Sequence, residues 1–216
     1  MEKTIVFFGD SITDCARSRE FDNARGYGYV TMVTGELGTK YPYQYQFINR
    51  GIGGNRSVDL LARIKSDVIN LKPDYLSILV GINDVSADID IQNGVSADKY
   101  EIVMDMIINE IKTELPAIKI MLLEPFVVRN ARTEYSPEYP NRSFEKYTQE
   151  VGLRSAAVKR LAEKYDLTFV PLQDIFTAAE ASAPYVGYWV KDGIHPTAFG
   201  HNLIKQEWIK AFETMK

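Results

Sequence analysis

The chain has 216 residues, 45% of them apolar, with 25 Lys and Arg against 29 Asp and Glu and a formal charge of −4 at pH 7. That length supports one well-buried core and falls short of two ordinary domains, so residues 1–216 are expected to form a single domain, and the interspersed charges lack the basic stripe that would make nucleic acid a partner. No apolar stretch approaches the roughly 20 residues of a bilayer span and no signal-type segment follows Met1; the single cysteine, Cys15, rules out an internal disulfide and a cysteine-rich zinc site. A cytoplasmic protein with no membrane partner is the expectation, although a leader removed ahead of this sequence would leave the same pattern.

Short apolar runs alternating with stretches of helical period predict parallel strands joined by crossover helices. The first strand, Thr4 to Phe8, stops at Gly9-Asp10-Ser11-Ile12, so a serine stands where a buried strand ends. Asp14 to Gly28, carrying Arg17, Arg19 and Arg25, reads as a loop and a candidate for substrate contact. Tyr29 to Leu37 reads as a helix. A second strand, Tyr45 to Asn49, runs into Asn49-Arg50-Gly51-Ile52-Gly53-Gly54, where Gly51 and Gly53 are assigned to a tight turn. That run is not a dinucleotide fingerprint, because it follows strand two and Arg56 occupies the position of the third glycine. Ser57 to Asn70 is predicted as a helix capped by Ser57, with Val58, Leu61, Ile64 and Val68 at turn spacing. Strand three, Tyr75 to Val80, leads into Gly81-Ile82-Asn83-Asp84. A helix over Ser96 to Leu115 and a strand over Lys119 to Leu123 follow, then a second loop, Phe126 to Arg142, whose Arg129, Arg132, Tyr135 and Tyr139 are further substrate-contact candidates. A helix over Ser143 to Tyr165 and a strand over Thr168 to Pro171 come next. Tyr185, Tyr188 and Trp189 read equally as packing or as a sugar-binding wall. They precede Asp192-Gly193-Ile194-His195-Pro196 and a last helix over Thr197 to Met215, whose start Pro196 suits.

In an open parallel sheet, ligands gather beyond the carboxyl ends of the strands. Ser11, Gly54, Asn83, Asp192 and His195 all lie there. A serine hydroxyl is a poor nucleophile at neutral pH and needs an imidazole to take its proton and a carboxylate to hold that imidazole in one tautomer. Of the two histidines, His195 follows Asp192 by three residues, about one helical turn, so one short element presents both on the same side. His201 is assigned to the polar face of the last helix. Attack on a carbonyl builds charge on oxygen, and the N–H of Ser11, the N–H of Gly54 and the Asn83 amide are the candidate donors. Asp10 and Asp84 are expected to fix loops by accepting backbone N–H groups. Cys15 is expected to be inert and buried, with no base spaced to serve it better than Ser11.

The blocks Gly9-Asp10-Ser11-Ile12, Asn49 to Gly54, Gly81-Ile82-Asn83-Asp84 and Asp192 to Pro196 resemble, in order and across nearly the whole chain, the GDSL or SGNH hydrolase superfamily. Ile12 stands where many members have leucine. The resemblance implies an α/β fold of three flavodoxin-like layers, a five-stranded parallel sheet with helices on both faces. It implies metal-free ester hydrolysis through an acyl-serine with no cofactor: Ser11, Asp192 and His195 catalytic, and Ser11, Gly54 and Asn83 around the oxyanion. The longer stretches Gly9 to Cys15, Gly26 to Val30 and Gly81 to Val85 look like intracellular bacterial acetyl xylan esterases, which implies a small-molecule or oligosaccharide acyl ester, most simply an acetyl ester on carbohydrate, as substrate. Oligomeric state stays open. A lipase, lysophospholipase or thioesterase of the same superfamily is the nearest alternative, and a non-catalytic carbohydrate-binding protein is one from another class. A phosphate- or nucleotide-binding protein is disfavoured by Asp10 beside the anion position and by the lack of a Lys-Ser/Thr cradle.

Overall fold

In the computed structural model, which describes residues 2–216, the first strand β1 (Lys3–Gly9) is apolar on both faces because helices cover both. Its side chains alternate, as strand geometry dictates. Ile5 and Phe7 enter one core with α2 (Tyr29–Lys40) and α8 (Ala198–Met215), while Val6 and Phe8 enter the other with α3 (Ser57–Asp67), α5 (Ala97–Glu114) and the second half of α6 (Phe144–Tyr165). These are three layers around a sheet in which β2 (Tyr45–Gly51), β1, β3 (Tyr75–Leu79), β4 (Lys119–Leu123) and β5 (Thr168–Val170) lie side by side in that order, all parallel. The order reverses at β1, so the crevice beyond β1 and β3 is the switch point where such sheets bind ligands. Gly9, at the end of β1, is in register with both Gly51 and Leu79 and opens onto it.

The strands fall where the sequence places them, to within about two residues at each end. The helices differ more. Ser57 is the first residue of α3 rather than its cap; its N–H and hydroxyl both donate to the buried Asp84 carboxylate, at 3.1 and 2.5 Å. The same helix stops at Asp67 and continues only as a tight turn over Ile69–Leu71. Besides a single helical turn at Ser11–Asp14, two helices were not anticipated. One is α4 (Ile82–Ile91), which grows directly out of the Gly81-Ile82-Asn83-Asp84 block and buries Ile82, Val85 and Ile89. The other is α7 (Gln173–Ala181), an alanine-rich segment anchored by Phe176, whose ring stacks on Phe126 at 4.0 Å. Both expected loops are largely irregular, the second with one short turn at Ala131–Thr133.

The C-terminal helix is tied to the centre of the sheet. Trp208 is fully buried, and its indole N–H donates to Ser77 on β3 at 2.9 Å. Its ring lies 5.2 Å from that of Phe7 and 5.1 Å from that of Phe212. Burying side chains of this size contributes about 1.5–3 kcal/mol each, which fixes where α8 begins and hence where His195 stands. Among the described residues no helix is long and apolar enough to cross a membrane.

Candidate active site

Ser11 opens a single helical turn, α1 (Ser11–Asp14), that Asp10 caps by accepting the Ile12 N–H at 2.9 Å. First-turn N–H groups have no partner inside a helix. The Ser11 N–H accordingly meets no protein acceptor among the described residues. The Asp10 carboxyl is 1% exposed, its second oxygen has no partner, and burial pushes it up to about 7.

Asp192 and His195 come together through a different local structure from the helical turn expected. Val190 bridges Pro196 in antiparallel fashion, the Lys191 N–H donates to the His195 carbonyl at 3.0 Å, and the Thr197 N–H to that of Trp189 at 2.9 Å. The intervening residues form a tight hairpin. Asp192 Oδ1 accepts the N–H groups of Ile194 and His195 at 3.1 and 2.7 Å, and Oδ2 lies 2.7 Å from His195 Nδ1. Burial alone would raise the Asp192 carboxyl, but the hydrogen bonds from the His195 ring and backbone outweigh it and hold the group well below the usual carboxylate range. An ionised Asp192 selects the tautomer in which Nδ1 carries the proton and leaves the Nε2 lone pair free. Nε2 lies 2.9 Å from Ser11 Oγ, across 184 residues of sequence. This continuous network needs only the hydroxyl proton to move onto nitrogen for an alkoxide to form. Thr197, not Pro196, caps α8, accepting the Gly200 N–H at 3.4 Å.

The expected oxyanion donors Gly54 and Asn83 belong to the turn after β2 and to the start of α4. A side chain added at Gly53 would stand 3.8 Å from Ser11 Cβ, so the glycine turn after β2 abuts the serine. Gly53 gives its N–H to Asp14 Oδ2 at 2.9 Å, in keeping with a structural role, whereas Gly54, at φ +80°, has an N–H with no protein acceptor among the described residues. Asn83, in the first turn of α4, donates from Nδ2 to the Asn55 carbonyl at 3.0 Å and retains a second amide hydrogen. Sequence reasoning overlooked Asp14: its buried carboxylate takes the Gly53 N–H and the Arg19 guanidinium, the latter at 2.5 Å, and so clamps the turn that carries Gly54. Its partner Gly53 lies 39 residues away, so no local signal in the sequence pointed to it. Asp10 and Asp84 hold backbone N–H groups as expected.

His201 contradicts its assignment to a polar face. It is 3% exposed; Nδ1 accepts the Tyr29 N–H at 3.2 Å, so Nε2 carries the proton toward Cys15 Sγ at 3.3 Å. The reason is that α8 packs against α2 through that face. Cys15 therefore does have an imidazole beside it, but one that donates and cannot take the thiol proton, and burial pushes the thiol up. Burial, reinforced by His195 and Lys191, lowers His201 from 6.5 to about 4. Between those values an unfolded chain binds a proton that the folded one refuses. The stability that neutral His201 contributes is thus present above pH 6.5 and lost as pH falls toward 4. We expect the urea-unfolding gap between the wild type and His201→Asn to narrow by about 3 kcal/mol from pH 7 to pH 4.

A cavity of about 180 Å³ adjoins the serine, lined by Ser11, Cys15, Tyr27, Lys191, His195 and His201 among others. Tyr185, Tyr188 and Trp189 do not line it. They pack edge-to-face in sequence, and Tyr188 stacks on Phe199 at 4.6 Å. Among the described residues, no group of three His, Cys, Asp or Glu side chains is placed to hold a metal ion.

Comparison with known proteins agrees with this geometry. Residues 7–203 match the GDSL-like Lipase/Acylhydrolase family. The acetylxylan esterase of Geobacillus stearothermophilus is 34% identical over 95% of this chain and 92% of its own length. Its crystal structure superposes with a TM-score of 0.82 at 32% identity, covering 97% of this chain and 93% of that one. An α/β hydrolase enzyme from the metagenome of Lake Arreo superposes with a TM-score of 0.83 at 26% identity, covering 99% and 96%. The chain belongs to the GDSL-like lipase/acylhydrolase family and is a carboxylic ester hydrolase.

Proposed function

We propose that this enzyme removes short acyl groups, above all acetyl, from carbohydrate esters such as acetylated xylo-oligosaccharides, and that residues 1–216 act as one hydrolase domain. The carrying observation is the unbroken chain from Ser11 Oγ through His195 to Asp192, at 2.9 and 2.7 Å. Ser11 Oγ attacks the ester carbon as its proton passes to His195 Nε2, and the carbonyl electrons move onto oxygen, facing the N–H groups of Ser11 and Gly54 and the Asn83 amide. Collapse expels the alcohol, which takes the proton from His195, and leaves an acyl-serine. Water, deprotonated by the same nitrogen, then releases the carboxylic acid and restores the hydroxyl. Asp192 keeps the ring oriented and stabilises its charged form.

The similarity to an acetylxylan esterase supports the acetyl group and the sugar, and the modest volume beside Ser11 suits a small substrate. The single free thiol, Cys15, is in keeping with a reducing cytosol. Hydrolysis of p-nitrophenyl acetate should exceed that of the decanoate by at least about tenfold in kcat/KM, since a cavity of about 180 Å³ has no room for the longer chain and admitting it must displace packed side chains. Acetate release from a panel of acetylated sugars should outpace release from acetylated non-sugar alcohols. Faster decanoate turnover overturns the short-acyl reading in favour of a lipase or thioesterase, and equal rates across the panel overturn the carbohydrate.

A further inference from the structure

We propose that Arg132 is a positioning residue for the catalytic base, its guanidinium clamping the Asp192 carboxylate and setting the pH at which the enzyme loses activity on acidification. The proposal rests on the reading of Asp192 and His195 as the acid-base pair. Arg132 Nη1 donates to Asp192 Oδ2 at 3.2 Å, the same oxygen that takes the His195 Nδ1 proton. With two N–H groups on Oδ1, this arginine completes the four acceptor sites of the carboxylate.

The contact is built in. Arg132 stands in the middle of the turn Ala131–Thr133, which Asn130 fixes by accepting the Ala131 N–H at 2.7 Å, while the buried Thr133 hydroxyl accepts the Asn130 N–H at 3.0 Å. The turn is docked on the base hairpin: the Val128 N–H donates to the Gly193 carbonyl at 3.0 Å and the Asn130 amide to that of Lys191 at 3.3 Å. Gly193 makes the docking possible, for its φ is +90° and a Cβ there would stand 2.7 Å from the Val128 oxygen. Other arginines of the loop are engaged elsewhere, Arg129 with Glu134 and Glu145 and Arg142 with Asp90. Arg132 has Asp192 as its ion-pair partner among the described residues. A residue expected to touch substrate thus touches the machinery instead.

The physical consequence follows from charge. A cation on Asp192 Oδ2 offsets part of the attraction that the carboxylate exerts on a protonated imidazole, and removing that cation strengthens the attraction. The other charged or titratable groups around His195 are Asp192 and Lys191 on its own hairpin, Asp10 at the end of β1, Asp14, Cys15 and Tyr27 across the cavity beside Ser11, and His201 on α8. All of them remain when Arg132 is replaced, so a difference between two pH profiles reports Arg132 alone.

The test is the pH dependence of kcat/KM for p-nitrophenyl acetate in the wild type, Arg132→Met and Arg132→Lys. Arg132→Met should move the acid limb upward by about half a pH unit to one unit and lower the plateau about three- to tenfold, and Arg132→Lys should restore the limb to within about 0.3 unit. A partly exposed side chain on a loop is replaceable without loss of the fold, which unchanged unfolding temperatures would establish. Profiles that superimpose after scaling overturn the proposal and leave the base assignment standing. A wild type with no acid limb, or a His195→Ala variant of undiminished activity, overturns both.

Discussion

Ser11→Ala should lower kcat by about 10⁴- to 10⁶-fold and abolish labelling by a fluorophosphonate serine probe, with the unfolding temperature almost unchanged. The hydroxyl is the only atom removed. It is half-buried, it holds none of the packing of β1, and its one hydrogen bond is to His195 Nε2. His195→Ala should cost as much, because without a proton acceptor the hydroxyl returns to the nucleophilicity of an ordinary alcohol. The double variant should be no worse than either single one, since the two atoms act as a unit. Two independent losses that multiply would mean that the 2.9 Å contact is not used in the reaction. Residual turnover in all three variants should come from donors that remain in place around the carbonyl oxygen.

Removing one of those donors has the next largest effect. Asn83→Ala should reduce kcat by about 10²- to 10³-fold with KM within about threefold of the wild type, because the lost hydrogen bond strengthens only as charge develops on oxygen. The amide also donates to the Asn55 carbonyl at 3.0 Å, so the loss includes a contribution from a loosened glycine turn. Asn83→Asp is isosteric but has no donor hydrogen for either the oxyanion or the Asn55 carbonyl, and should be at least as impaired as alanine. Steady-state kinetics on p-nitrophenyl acetate read both variants. A fall confined to KM would assign Asn83 to substrate binding rather than to charge stabilisation.

The sheet was legible because buried parallel strands must be apolar on both faces, and Thr4 to Phe8 and Tyr75 to Val80 are short, largely apolar runs of that kind. The hydrogen-bonded set Ser11, His195 and Asp192 was legible for a related reason: these residues follow a strand or precede a helix, at the end of the sheet where polar side chains can meet. Short helices were not. The four residues Gly81 to Asp84 look like a turn because glycine, asparagine and aspartate favour turns, and only packing of Ile82, Val85 and Ile89 against the core makes the segment helical. His201 was misplaced because its polarity argued for solvent, whereas the structure satisfies both ring nitrogens internally, with Tyr29 and Cys15. Arg132 and Asp14 lay beyond reach for a different reason. Their partners are 60 and 39 residues away, and no local pattern announces a contact set by how two loops dock.

The separation of Ser11 from His195 by 184 positions bears on biosynthesis. Translation delivers the Ser11 hydroxyl 184 residues before the imidazole it meets in the folded chain, and α8, which follows the hairpin carrying that imidazole, emerges later still. On the proposed mechanism, a polypeptide interrupted anywhere before the hairpin carries an ordinary, unreactive alcohol at residue 11, so hydrolytic competence awaits the synthesis and docking of α8.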